Sequence, residues 1–252
     1  MGQPAAVNVL APHFRFPLRG EQVAGRFLIG CALLFASFFV PILPSLFVFG
    51  YLVQVMRRAT AGETPAMHAW QDWGGLLKDG FRAWVISLVF FLPGLIVLLV
   101  GLGTYFASLL SFSMVSETES SAAVLLPFFL GMASLFLGMS VGFLLVLLAS
   151  IPLPAALAHF AAEDSFAAAF HFRQWWNVIR SNALGFLIAW VVVGGLIWIT
   201  YVVGMMAYYT IILACLFPLL SIPASFYGLL VGASLFGDLY AEGKARAPQA
   251  AS

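Results

Sequence analysis

An all-α fold, a polytopic bundle of membrane helices, is predicted by three features of the sequence. Of the 252 residues, 63% are hydrophobic and 8% are charged, whereas a soluble domain carries about 25% charged residues. A chain so poor in charge cannot cover a water-facing surface, so lipid must be its main solvent. The apolar residues gather into long runs, Phe27 to Met56, Trp84 to Phe112, Val124 to Phe160, Leu184 to Ala207 and Tyr208 to Phe236, and a spanning helix needs about 20 such residues. Between the runs stand elements that mix aromatic rings with charge, the pattern of a membrane–water boundary.

In chain order, residues 1–13 read as a disordered tail, residues 14–237 as a single integral membrane domain, and residues 238–252 as a disordered C-terminal tail. Phe27 to Met56 is too long for one upright span and too short for two, and Pro41 and Pro44 interrupt it near its middle. Proline removes a backbone donor and crowds the preceding turn, so this run is expected to form a re-entrant hairpin. Four full spans follow; five spans, with the first run crossing once, is the alternative. Arg57-Arg58 closes the first run, where a base opposes the helix dipole. Ala61-Gly62-Glu63-Thr64-Pro65 reads as a turn. Returning arms repeat a proline pair, at Pro41/Pro44, Pro152/Pro154 and Pro218/Pro223. Each pair is expected to end or kink its helix and to face other helices, with nearby serines serving the freed carbonyls.

If each interfacial element leads into the membrane and the chain returns to the same side, all 11 Lys and Arg fall on that side, and the charges of the far loop are Glu117 and Glu119. That is the distribution expected of an inner (cytoplasmic) membrane protein with both termini cytoplasmic. No secretory signal is expected, since Arg15, Arg19 and Glu21 precede a run too long for an h-region. A net charge of +1 gives no case for nucleic acid.

The candidate site lies in the interfacial elements. Trp70, Asp72, Trp73, Lys78, Asp79 and Arg82 precede the second run, and Trp175, Trp176 and Arg180 precede the fourth. In each a Trp stands ahead of a base, Trp73 before Lys78 and Trp175 before Arg180. Asp72 suits the cap of a helix starting near Trp73, and Asp79 is placed to pair with Arg82. His159, Glu163, Asp164 and His171 cluster at the inner end of the third run, and His159 and Glu163 share a helical face, but zinc usually needs three or four ligands of good geometry and no His-Glu-x-x-His run or cysteine pair is present. A solvated helix end is the plainer reading, and no metal or cofactor is expected. Cys31 and Cys215 lie in apolar runs and read as packing residues. Phe27 to Met56, Trp84 to Phe112, Val124 to Ala158 and Leu184 to Gly237 carry no Asp, Glu, Lys, Arg or His, which argues against proton coupling or catalysis there. Small residues recur at one-turn spacing in Ser134/Gly138/Gly142, Ala224/Gly228/Gly232 and Gly103/Ala107/Ser111. Such stripes let helices approach closely, within one chain or in a homodimer.

The run Gly50-Tyr51-Leu52-Val53-Gln54-Val55-Met56-Arg57, followed by Asp72-Trp73-Gly74-Gly75-Leu76-Leu77-Lys78-Asp79-Gly80, resembles the prokaryotic membrane family catalogued as domain of unknown function 4013 (DUF4013). The likeness is specific from Phe14 to Pro93 and compositional beyond. Trp70 and Gln71 stand where that family commonly has paired acids. Phe166 to Phe170 with Trp175 and Arg180 also resembles membrane domains joined to some glycerophosphodiester phosphodiesterases, without the phosphodiesterase domain. The resemblance implies location and fold, not an activity. The functional expectation is therefore a non-enzymatic membrane protein whose Trp-rich cytoplasmic face binds lipid headgroups or a partner membrane protein. A passive facilitator or channel for a neutral or apolar solute is the alternative.

Overall fold

The computed structural model describes residues 11–18, 22–114, 121–208 and 211–247. The tail to residue 10, the acidic loop with Glu117 and Glu119, and residues 248–252 lie outside the described residues. The described chain is helical: α1 (Val23–Ala36), α2 (Leu43–Thr60), α3 (Trp73–Met114), α4 (Ser121–Ser150), α5 (Leu153–Glu163), α6 (Phe172–Ser181), α7 (Ala183–Tyr208) and α8 (Ile211–Arg246), with 3₁₀ turns at Phe16–Leu18 and Phe166–Phe170. Four segments among the described residues are long and apolar enough to cross a membrane, Trp73–Ser111, Leu125–Glu163, Ala183–Met206 and Leu219–Arg246. Helix is what such sequences must form, because lipid offers no partner to a backbone amide.

The chain divides into two compact units, Met1–Ile86 with Pro154–Ser252, and Ser87–Leu153. The sequence suggests one membrane domain; the division follows from packing. Within the second unit the later part of α3 lies on α4 through small residues. A Cβ at Gly138 would meet the Gly101 backbone, and one at Gly142 would meet Leu98 and the Gly94 carbonyl. Thr104 and Ser134 join their hydroxyls across this seam. The Ser134/Gly138/Gly142 stripe is thus used inside the chain, whereas Gly103 has open space beside it. All 11 Lys and Arg fall in the sequence of the first unit.

In the first unit α8 is the central helix. In its spanning window 56% of residues are buried, against 17%, 11% and 17% in the other three. Phe226, Leu230 and Val231 are fully buried. Gly232 meets Val193 of α7, Gly237 meets Ala59 and Met56 of α2, and Gly243 meets Val178 of α6. A buried His13 ties the N-terminal segment to α8. Burial lowers its pKa, so the ring is neutral at pH 7: Nδ1 accepts from the Ser234 hydroxyl at 2.8 Å and Nε2–H donates to Asp238 at 3.2 Å. The Tyr227 hydroxyl donates to the Phe14 carbonyl at 2.8 Å.

Two expectations change here. The last helix does not stop at Asp238 but continues to Arg246. The supposed tail is held by Lys244 on Glu163 at 2.9 Å, by the Ser181 hydroxyl on the Gly243 carbonyl at 2.8 Å, and by an Arg246–Glu242 pair one turn apart at 3.3 Å. The three proline pairs also differ. Pro41 lies in the turn between α1 and α2, and Pro44 in the first turn of α2. Pro152 lies in the turn that ends α4, and Pro154 in the first turn of α5. At both places proline occupies positions whose amides have no intrahelical partner. By contrast, α8 runs unbroken through Pro218 and Pro223.

Candidate functional site

The two runs that carry the family resemblance fold onto each other. On α2, Gly50 faces Leu76, so a Cβ there would strike the Leu76 carbonyl; on α3, a Cβ at Gly80 would strike the Leu46 carbonyl and the Gly50 amide. The two helices therefore touch backbone to backbone, which only glycine permits. Beside this crossing Tyr51 is 1% exposed and stacks on Trp70, ring centroids 4.1 Å apart and 15° from parallel. The Tyr51 hydroxyl accepts the His68 N–H and donates to the His68 carbonyl, both at 3.0 Å. The Trp70 indole donates to the Arg26 carbonyl at 2.8 Å, and Arg26 reaches the Met67 carbonyl. Burial, then the Arg58 charge, lowers the His68 pKa.

Arg57 closes the assembly. Its guanidinium contacts Asp79 at 3.0 Å, Asp164 at 2.8 Å and, through Nε, the Ala161 carbonyl at 3.2 Å. It thereby joins the end of α2, the first turns of α3 and the end of α5. Asp79 is buried; its expected partner Arg82 stands at 4.0 Å, at the limit of an ion pair. Asp72 takes the expected capping place: its Oδ1 accepts the Gly75 N–H at 3.0 Å, with φ at 53°. A Cβ at Gly75 would collide with that carboxylate. Asp72→Ala is expected to cost about 1 kcal/mol, the usual worth of such a cap, with Asp72→Asn retaining most of the stability. Thermal unfolding of the purified protein in detergent checks this, and equal midpoints for Ala and wild type would refute it.

The second interfacial element is built on α5, the 3₁₀ turn Phe166–Phe170 and α6. Trp175 is 1% exposed, with its indole donating to the Ala169 carbonyl at 3.0 Å. His159 is buried between two partners: Nε2–H donates to Gln174 Oε1 at 2.9 Å, and Nδ1 accepts from the Tyr240 hydroxyl at 2.5 Å. Glu163, the partner considered for metal binding, turns instead to Lys244. Among the described residues no three His, Cys, Asp or Glu converge on a metal-sized position.

The candidate residues thus split in two. Trp70 and Trp175 are buried supports, Asp72 is a cap and Asp79 is half of an internal ion pair. Trp73 is 44% exposed and lies edge-on to Phe47, and Lys78 and Arg180 stand toward the surface. Arg180 lies over the Trp176 ring, 5.5 Å from its centroid, and Phe172 stacks on the same indole with centroids 5.5 Å apart. Around them Phe166, Phe170 and Phe172 are 37%, 42% and 58% exposed. Sequence reasoning groups Asp164 with His159 and Glu163 but misses its pairing with Arg57, and it misses Gln174 and Tyr240 as members of this assembly. The Arg57-Arg58 pair at a helix end is the only local signal, and nothing in the neighbouring residues marks the distant partners.

Comparison with curated proteins and with solved structures finds no match. One family, described as protein of unknown function (DUF4013), matches residues 33–209. The match leaves out Phe14 to Ala32 and continues well past Pro93, so the likeness extends beyond the stretch in which its motifs are legible. It takes in Gly50, Arg57, Asp79 and Gly80, the residues that hold α2 against α3, together with the Asp72 cap, and the chain belongs to the DUF4013 family.

Proposed function

We propose that this chain is a non-enzymatic multi-pass protein of the inner (cytoplasmic) membrane, with both termini cytoplasmic, whose α6 face binds anionic lipid headgroups. The observation that carries the reading is the set of rings Phe166, Phe170, Phe172 and Trp176 beside the bases Arg173 and Arg180. Apolar rings flanked by cations suit the depth where acyl chains meet headgroups. Buried Trp175 and the His159–Gln174 bond fix α6 on the helices beneath it, so the face is held ready without ordering on contact. The same orientation places the bases of the first unit toward the cytoplasm, and the α1–α2 hairpin then re-enters on that side. Each base near an anionic surface contributes about 1 kcal/mol. Arg173→Gln with Arg180→Gln should therefore lower retained phosphatidylglycerol roughly thirtyfold, measured by native mass spectrometry against phosphatidylcholine. Equal retention in variant and wild type would sink this reading and leave a partner membrane protein as the occupant of the face. The passive-facilitator reading keeps less support, because α8 is unbroken at Pro218 and Pro223 and broken helices are its motive.

A further inference from the structure

We propose that the α1–α2 hairpin is a wedge in one leaflet, which makes the protein favour membrane that bulges toward its base-bearing face; this rests on the re-entrant placement proposed above. The hairpin has an apolar tip that the protein does not cover: Phe38 and Phe39 are 68% and 76% exposed, and Val40, Ile42 and Leu43 are at least half exposed. A turn in water can leave its amides to solvent, whereas a turn in hydrocarbon must satisfy them itself. This turn does so. The N–H groups of Ser37, Phe38, Phe39 and Val40 donate to carbonyls of residues 33–36. Pro41 and Pro44 have no N–H to satisfy. Both serines bond back to the backbone, Ser37 to the Leu33 carbonyl at 3.0 Å and Ser45 to the Ile42 carbonyl at 2.7 Å. The prolines thus serve a second purpose beyond turning the chain, removing donors where water is absent.

Length and footing set the depth. Helices α1 and α2 have 14 and 18 residues, and α1 rises about 21 Å, short of the roughly 30 Å hydrocarbon core. Both feet are fastened to one polar segment: Arg26 to the Met67 carbonyl and the Trp70 indole, Arg57 to Asp79. The hairpin therefore adds volume to the leaflet beside its feet and little to the other.

The test uses the full chain in phosphatidylcholine–phosphatidylglycerol vesicles. A Cys31→Ala, Cys215→Ala, Phe39→Cys protein carries a nitrobenzoxadiazole label at the tip. Quenching by acyl-brominated lipid, without reduction by dithionite added at the far side, is the expected result. Far-side reduction would overturn both the re-entrant placement and the wedge, and an unquenched label would show that protein covers the tip and overturn the wedge. Separately, the wild type is followed on tubes pulled from giant vesicles, its orientation verified by a C-terminal tag. Enrichment of several-fold on tubes with the base-bearing face outward, and depletion with it inward, supports the wedge. Equal partition with a quenched tip would overturn the wedge and leave the re-entrant placement standing. Phe38→Ser with Phe39→Ser should reduce the enrichment; the wild-type measurement decides the matter even if that variant fails to fold.

Discussion

Arg57→Ala is expected to lower the stability of the protein by about 2 kcal/mol, below the range found when one partner of a fully buried ion pair is removed, because Arg57 is 34% exposed. The effect rests on Asp79, whose side chain is 11% exposed and which would be left with Arg82 alone, at 4.0 Å. Arg82 cannot replace Arg57, since it already stands at 4.0 Å and approaches from Asp79's own helix. The Asp164 contact adds little, because that carboxylate is 72% exposed and exposed pairs contribute at most about 1 kcal/mol. Arg57→Lys should recover only part of the loss, since one ammonium cannot reach Asp79, Asp164 and the Ala161 carbonyl together. Adding Asp79→Asn to Arg57→Ala should restore stability relative to Arg57→Ala alone, because the abandoned charge goes with it. Thermal unfolding in detergent measures all four proteins. If Arg57→Ala unfolds at the wild-type temperature, the ion pair does not hold the three helix ends together.

The contrast between Arg57 and the Trp residues explains what sequence can and cannot supply. The spans are legible because hydropathy is a local property, summed over residues adjacent in the chain. The first hairpin is legible because Pro41 and Pro44 sit within a run of awkward length. Trp70 and Trp175 read as surface anchors, since aromatic residues beside charge are usual at interfaces. Composition cannot say whether an indole points outward, and here each indole N–H finds a carbonyl inside the protein. Asp72 is readable as a cap because its partner is three residues away. Arg57 with Asp164, His159 with Tyr240 and His13 with Asp238 join positions far apart in the chain, and no periodicity encodes such meetings. The end of α8 misleads because Ala, Gly and charge after Asp238 resemble a tail by composition, while its helix is stabilised by contacts with Glu163, Val178 and Ser181. Prolines alone are ambiguous: the same residue marks a first turn at Pro44 and Pro154 and is absorbed within α8 at Pro218 and Pro223.

Gly50→Ala and Gly80→Ala are each expected to cost about 3 kcal/mol, the upper part of the range for forcing one extra methyl into a packed contact. The usual escape, rotation of a neighbouring side chain, is closed here. The atoms in the way are the Leu76 carbonyl for Gly50, and the Leu46 carbonyl and Gly50 amide for Gly80, all backbone within helices. Room can be made only by moving α2 away from α3, which would also lengthen the Arg57–Asp79 contact. Gly103→Ala is the internal comparison. Gly103 is also within a membrane helix, but nothing lies within 4 Å of the position a Cβ would take. There the substitution should be neutral or stabilising by up to about 1 kcal/mol, since alanine is the better helix former. The double variant Gly50→Ala, Gly80→Ala should lose less than the sum of the two, because one separation of the helices relieves both collisions. Unfolding midpoints of the four proteins decide between this account and a merely permissive role for glycine. Equal behaviour of the Gly50, Gly80 and Gly103 variants would mean that α2 and α3 do not meet backbone to backbone.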